Sequence, residues 1–244
     1  MPPAVIYFTS IYCQEVFFLR KKVELLLLLL LLAGLIFANR KLEEYVSSEK
    51  IERKENTVII DPGHGSSDPG KVGINGALEK DINLSISKKV KKKLEKKGYE
   101  VIMTREKDEV LDGAGEEGQK VKDMKARVEL INSTAPALAI SIHQNSYPQA
   151  DIHGAQVFYY THSEEGEAAA RVVQEALLEV DPNNTRQIKA NDTYYLLKRT
   201  KVPTIIVECG FLSNYEEAEK LIDENYQEQI ADVIVEGIIT CLEN

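Results

Sequence analysis

The stretch TVIIDPGHGSSDPG, from Thr57 to Gly70, decides the fold of this chain. Its short β-branched run, Val58 to Ile60, predicts a buried strand, and the glycine-rich segment that follows predicts the loop leaving that strand. Beyond the loop, apolar residues recur at every fourth position, which is typical of one face of a helix. A strand, a loop and a helix in this order indicate the first unit of an α/β fold. The apolar positions of this helix are Leu78, Ile82, Ile86, Val90 and Leu94.

The alternation of strands and helices continues to the end of the chain. It predicts the α/β class, with a single three-layer domain whose mostly parallel, twisted sheet carries helices on both faces. The further predicted strands are Tyr99 to Thr104, Leu138 to Ile142, Ala155 to Tyr160, Tyr194 to Leu197 and Thr204 to Val207. Four further helices are predicted. One has an apolar face formed by Val121, Met124, Val128 and Ile131, and the next begins at a cap, Ser163, and ends at about Leu178. The last two lie around Ala218 and from Gln229 to Leu242.

The N-terminal segment, residues 1–40, has the order of charges and apolar residues found in export signals. Arg20, Lys21 and Lys22 precede an unbroken apolar stretch from Leu25 to Ala38. This stretch is shorter than the ~20 residues of a comfortable membrane span. Both a signal peptide cleaved after Ala38 and a retained signal anchor therefore remain open. The first ~19 residues are long and apolar for the region before such charges, which suggests a true start codon further downstream.

Residues 41–56 are charged and polar without apolar periodicity, which predicts a linker before one folded domain at residues 57–244. The net charge of −9 argues against a nucleic-acid partner, because binding phosphates requires a basic surface. The three cysteines, Cys13, Cys209 and Cys241, are an odd number and include no CxxC pair. No disulfide framework is indicated, and a metal site would have to use His and carboxylate ligands.

Four polar residues follow or adjoin the predicted strands. His64 follows the first strand, His143 and Glu208 directly follow two later ones, and Glu79 opens the first helix. Because the carboxyl ends of parallel strands meet at one edge of the sheet, we expect these side chains to converge. Two imidazoles and one carboxylate are the ligands of a catalytic zinc that keeps one position open, and His64, Glu79 and His143 match this set. Glu208, placed after a buried apolar run, is the candidate general acid–base.

Each of these residues also has a purely structural interpretation. A single His at a strand end is commonly a surface residue, and a Glu at a helix start is commonly a favourable charge at the helix dipole. Two further residues are expected to support the ligands: Asp61, as a partner that orients an imidazole, and Asn145, close to His143 in the sequence. His153 and His162 flank the fourth predicted strand and are expected to be solvated.

Four ordered motifs make the pattern specific. They are VIIDPGHG at 58–65, Glu79 before a helix, SIHQN at 141–145 and VECGFLSN at 207–214. Together they resemble the zinc-dependent N-acetylmuramoyl-L-alanine amidases from about Thr57 to the end of the chain. The resemblance implies one Zn²⁺ held by His64, Glu79 and His143, an essential Glu208, and a peptidoglycan substrate cleaved between N-acetylmuramic acid and L-alanine. Residues 57–244 would then be the catalytic domain.

Within this family, the chain resembles the amidases of sporulation and germination in endospore-forming bacteria. The stretches VKDMKARVELIN at 121–132 and FLSN at 211–214 carry this narrower resemblance. It implies removal of stem peptides from spore-cortex glycan before muramic-δ-lactam forms. It also implies that the protein acts outside the cytoplasm, either as a secreted enzyme or as one anchored in the membrane at the cell wall. The space between the forespore and mother-cell membranes is one such location. Without wall-binding repeats in the sequence, we expect targeting by the N-terminal segment or by a separate activating or targeting protein.

Two other functions remain as alternatives. The first is another zinc hydrolase of the same polymer, a peptidase or an N-deacetylase, which would need a similar metal and carboxylate. The second is a catalytically silent glycan-binding module, although intact His64, Glu79, His143 and Glu208 argue against it. The ligand types alone do not separate zinc from manganese or cobalt.

Overall fold

The structure, a computed structural model, describes residues 20–38, 52–113, 115 and 118–243. The chain divides into two units, Met1–Lys50 and Ile51–Asn244. In the first unit, residues 20–38 form helix α1. Within the described residues, no helix is both long enough and apolar enough to cross a membrane. The predicted early start region at residues 1–19 and residues 41–51 of the predicted linker, 41–56, lie outside the described residues.

The second unit is built on one six-stranded sheet with the order β2-β1-β3-β6-β4-β5. The central strands β1, β3 and β6 and the edge strand β2 run parallel, whereas β4 is antiparallel to β6. The mostly parallel sheet predicted from the sequence is therefore confirmed. The strands are β1 Lys54–Pro62, β2 Glu100–Met103, β3 Pro136–Asn145, β4 Gln156–Tyr160, β5 Lys189–Asn191 and β6 Thr204–Phe211.

The reversed direction of β4 follows from its short connection. A parallel neighbour needs a long crossover, usually a helix, but only the loop at residues 146–155 joins β3 to β4. The chain therefore enters β4 from the end of the sheet at which β3 finishes. Helix α4 then returns the chain, and β5 pairs parallel to β4.

Helices cover both faces of the sheet. On one face, α2, α4 and α7 share an apolar cluster with inward-facing residues of the sheet, among them Val58 and Ile60 of β1. On the other face, α3 and α5 pack against Ile59 and Ala139. Alternate residues of β1 thus point to opposite layers, and the predicted three-layer domain is confirmed. The helices of this unit are α2 Glu79–Lys96, α3 Gln119–Thr134, α4 Glu164–Leu177, α5 Tyr195–Arg199, α6 Tyr215–Ile222 and α7 Glu224–Glu243.

One predicted strand is wrong. Tyr194 to Leu197 lies at the start of helix α5, and the strand of this region is the shorter β5, which comes before it. The side-chain oxygen of Asn191 accepts hydrogen bonds from the backbone N–H groups of Thr193 and Tyr194, at 2.8 and 2.7 Å, and so turns the chain out of β5 into α5. A short apolar run does not by itself separate a strand from a buried helical turn.

The buried face of α3 also differs from the predicted one. Val128 and Ile131 are buried as expected, but Val121 is 59% exposed. The side chains that replace it on the buried face are charged: Asp123 and Arg127. The apolar pattern gave the correct helix but only part of its buried face, because two ionic residues face the end of the sheet at which β1 finishes.

Candidate active site

Three of the predicted site residues converge at the carboxyl end of the sheet. His64 follows β1, His143 lies near the end of β3, and Glu79 is the first residue of α2. One potential ligand atom from each lies within 4.8 Å of the others. The rings of His64 and His143 meet edge to face, with centroids 4.9 Å apart. The convergence predicted from strand-end positions is therefore present in the structure.

The orientation of His64 is set by its backbone and by a carboxylate. Its φ of 64° is in the left-handed region, which is uncommon for a residue with a side chain. Its Nδ1 lies 2.9 Å from Oδ2 of Asp68, and its Nε2 lies 3.2 Å from Oε1 of Glu79. An ionised carboxylate only accepts hydrogen bonds, so Nδ1 donates to Asp68 and this contact fixes the ring with Nε2 facing Glu79.

Glu79 is the buried centre of the cluster, with only 2% of the residue exposed. Its Oε1 lies 2.9 Å from Nδ1 of His143 and accepts a hydrogen bond from the backbone N–H of Gln144, while its Oε2 accepts from the N–H of Lys71 at 2.7 Å. Burial would raise the pKa of this carboxyl, but hydrogen bonds and charge from the two imidazoles hold it well below its usual range. Glu79 is therefore ionised at neutral pH.

Two glycines let the loop after β1 come close to these side chains. A Cβ at Gly63 would lie 2.2 Å from ring atoms of His143. Gly70 has a φ of 69°, and a Cβ there would lie 2.5 Å from Oε2 of Glu79. Any larger residue at either position would displace a member of the cluster.

Glu208 lies in β6, in register with His143 of the neighbouring strand. Glu208 is 8% exposed, and its Oε2 has no hydrogen-bond partner among the described residues. Burial raises the pKa of this carboxyl to about 7, although electrostatic attraction to the His143 imidazole opposes the rise. A buried carboxyl with a free oxygen and a pKa near neutrality is suited to proton transfer.

All four residues line one cavity of about 580 Å³, large enough to take a substrate segment. Asn145 also lines it, and its side-chain oxygen accepts a hydrogen bond from the N–H of Ser146. The supporting role of Asn145 stays a prediction. His153 and His162 are exposed, as expected, and do not line the cavity. The start of α5 also forms part of the cavity wall, through Tyr194, Tyr195 and Leu196.

Asp61 has partners other than the predicted imidazole. Its carboxylate accepts hydrogen bonds from the hydroxyls of Thr104 and Ser141, each at 2.6 Å, and from Arg127 at 2.7 Å. The structure thus corrects the predicted contact: Asp68, four residues after His64, is the carboxylate that orients an imidazole. Asp61 is the last residue before Pro62 ends β1, so its side chain stays inside the sheet edge rather than reaching the loop.

The pKa of Asp61 gives a testable dependence of stability on pH. Burial would raise this pKa, but the Arg127 guanidinium and the two hydroxyls lower it from 3.8 to about 2. Between these values the unfolded chain binds more protons, so stability rises with pH. The contribution, about 2 kcal/mol, is complete above the unfolded pKa and is lost as the pH falls through the folded one.

Urea unfolding of wild type and Asp61→Asn at several pH values measures this contribution. The difference in their free energies of unfolding is expected to shrink by about 2 kcal/mol between pH 5 and pH 2. Asp151→Asn, at an exposed position, serves as the control. A difference that stays constant with pH would show that the charge of Asp61 does not contribute in this way.

The sequence analysis missed three residues that shape the site: Asp68, Arg105 and Arg127. The two arginines are buried, with 3% and 2% exposed, and both donate to carbonyls of the loop after β1. A signal for Arg127 was present, since it lies one turn from the apolar positions 124 and 131 of the same helix. For Arg105, which follows a short edge strand, the local sequence offers no comparable signal.

Comparison with known proteins identifies the family of this chain. The family model described as N-acetylmuramoyl-L-alanine amidase matches residues 58–240, a range that contains all four residues of the site. The chain belongs to the N-acetylmuramoyl-L-alanine amidase family. The resemblance inferred from the four sequence motifs is therefore confirmed.

Similar proteins come from several bacteria. The germination-specific N-acetylmuramoyl-L-alanine amidase of Bacillus subtilis is 40% identical over 185 residues, which cover 75% of this chain and 78% of the relative. The CwlD amidase of Clostridioides difficile, solved in complex with the GerS lipoprotein, is 38% identical with a TM-score of 0.75, covering 77% of this chain and 98% of that one. The amidase AmiC2 of Nostoc punctiforme is 32% identical with a TM-score of 0.68, covering 79% and 99%.

Proposed function

We propose that this amidase hydrolyses the bond between the lactyl group of N-acetylmuramic acid and the L-alanine of the stem peptide, with one zinc ion as its cofactor. The observation that carries the proposal is that His64, Glu79, His143 and Glu208 meet at one cavity. The Oε2 of Glu208 has no hydrogen-bond partner among the described residues. Membership of the amidase family supports this reaction over deacetylation or cleavage within the stem peptide.

The donor set fits zinc. Two imidazole nitrogens and one carboxylate oxygen within 4.8 Å of one another are the three protein ligands of a catalytic site that keeps one position open. His64 would bind through Nε2, because Nδ1 is engaged by Asp68, and His143 through Nδ1, the nitrogen that faces Glu79. When bound, zinc polarises the scissile carbonyl and lowers the pKa of a water towards ~7.

Glu208 carries the proton transfers in this proposal. Its ionised carboxylate accepts the proton of the attacking water, and the protonated carboxyl then delivers that proton to the departing amine of L-alanine. The pKa of about 7 supports both roles, since the two protonation states are similar in free energy near neutral pH. The unpaired Oε2 is available for these transfers without first breaking a hydrogen bond within the described chain.

The cellular role is proposed from the relatives. Similarity to a germination-specific amidase supports action on spore-cortex peptidoglycan, outside the cytoplasm. The charged and apolar order of residues 20–38 supports export, with the forespore–mother-cell space as the proposed location. Because a similar amidase is solved with a lipoprotein, we also propose that a lipoprotein partner locates or activates this chain.

Digestion of purified spore-cortex peptidoglycan by the full chain tests the proposed reaction. Free stem peptides that begin with L-alanine are expected by mass spectrometry, with loss of this release after chelation of metal and its return on addition of zinc. Release of acetate, or of fragments cut within the stem peptide, would contradict the amidase reaction. If zinc binds but release requires a co-expressed lipoprotein, the proposed partner gains support.

A further inference from the structure

The backbone of the loop that carries His64 is held by two buried arginines, Arg105 and Arg127. Arg105 donates to the carbonyls of Pro62 and Gly63, each at 3.0 Å. Arg127 donates to the carbonyls of Pro62, at 2.9 Å, and His64, at 2.7 Å. Three successive carbonyls are therefore bound by guanidinium groups, and of these two arginines Arg127 is the one that reaches the carbonyl of His64, a proposed metal ligand.

Arg127 is itself fixed by two carboxylates. Its Nη1 lies 2.7 Å from Oδ1 of Asp61, in β1, and its Nε lies 2.7 Å from Oδ2 of Asp123, one turn earlier in α3. The guanidinium is 2% exposed and uses all three of its nitrogens in these contacts. A guanidinium is planar and its N–H groups point in fixed directions. When two carboxylates hold it in place, it restricts the positions of the carbonyls it contacts more than a flexible ammonium group would.

The loop needs such a constraint because its backbone is unusual. Three consecutive residues have positive φ: His64 at 64°, Gly65 at 137° and Ser66 at 53°. Non-glycine residues adopt the left-handed region only when the surrounding structure imposes it. If this conformation relaxed, the imidazole of His64 would leave the position in which its Nε2 faces Glu79.

We propose that Arg127 is a positioning residue for the metal site: by fixing the carbonyls of Pro62 and His64, it holds the left-handed backbone that aims His64 at the cation. The inference rests on the proposed zinc site and deepens it. Arg127 is not itself a metal ligand, because its guanidinium is positively charged and has no acceptor atom. It acts through the backbone, linking α3 and the sheet to the ligand loop.

Arg127→Lys in the full chain tests this role. Lysine keeps the positive charge but cannot contact both carboxylates and both carbonyls at once. Loss of a residue that orients a ligand typically weakens metal binding about 10- to 100-fold. We expect zinc affinity, measured by competition with a chromophoric chelator, to fall by this factor. The visible absorption of the Co²⁺-loaded variant should also differ from that of wild type, because the coordination geometry changes.

Val173→Ala is the matched control for stability. Val173 is a fully buried residue of α4 that packs against Gly237 of α7 and does not line the cavity. Its truncation destabilises the fold by leaving a cavity, without touching the ligand loop. The control is expected to bind zinc and to give the Co²⁺ spectrum of wild type, so any loss specific to Arg127→Lys is not a consequence of lower stability.

The outcomes separate this inference from the proposed function. Wild-type zinc affinity and an unchanged Co²⁺ spectrum in Arg127→Lys would overturn the role of Arg127 alone. Absence of zinc binding by wild type would overturn the proposed metal site itself, and this inference with it. If Arg127→Lys does not fold, Asp123→Asn, which removes one anchor of the guanidinium, carries the same comparison: weakened zinc binding supports the role, and wild-type binding overturns it.

Discussion

Replacing Glu208 with glutamine is expected to slow the release of stem peptides by about 10³-fold. Glutamine has nearly the same shape but cannot take up a proton from water or return one to the departing amine. The unpaired Oε2 and the pKa of about 7 are the reasons for assigning these transfers to Glu208. Release rates from cortex peptidoglycan at saturating zinc, with zinc affinity measured in parallel, give the result.

Glu217→Gln is the matched control for this variant. Glu217 is also 8% exposed, and burial also raises its pKa, but it accepts hydrogen bonds from the backbone N–H groups of Gly154 and Phe211 and does not line the cavity. We expect Glu217→Gln to keep the wild-type rate at temperatures well below its unfolding. A Glu208→Gln protein that retains wild-type activity would exclude Glu208 as the acid–base residue.

Replacing Gly63 with alanine is expected to weaken zinc binding by about 10- to 100-fold, the range found when the orientation of a ligand is disturbed. The new methyl carbon would lie 2.2 Å from Cε1 and Nε2 of His143. Ordinary carbon contacts are at ~3.5 Å or more, so the ring has to move by roughly 1 Å. The backbone of Gly63 does not require positive φ, so the effect arises from this contact alone. Competition with a chromophoric chelator measures the loss.

Gly76→Ala provides the opposite case. Gly76 has a φ of 84°, which alanine adopts only with strain, but a Cβ there has no atom within 4 Å. This variant should therefore lose stability and keep its zinc affinity. If both variants lose zinc equally, displacement of His143 is not the cause of the effect in Gly63→Ala.

Much of the fold followed from the sequence because each element carries its own periodicity. The apolar positions from Leu78 to Leu94 are those of one helical face, and Ser163 caps α4 through its hydroxyl, which accepts from the N–H of Gly166. The residues at Tyr194 to Leu197 were assigned wrongly because a short apolar run has too few positions to show a period. There the side chain of Asn191 decided the structure.

The sequence by itself determined the α/β class, the strand ends that carry His64, His143 and Glu208, and membership of the amidase family. These depend on local pattern and on motif order, which are readable along the chain. Only the tertiary structure decided which side chains orient the site residues. Asp68 rather than Asp61 contacts an imidazole, and Arg127 binds the carbonyl of His64. The contact between Arg127 and His64 joins residues 63 positions apart and depends on how α3 packs against the sheet.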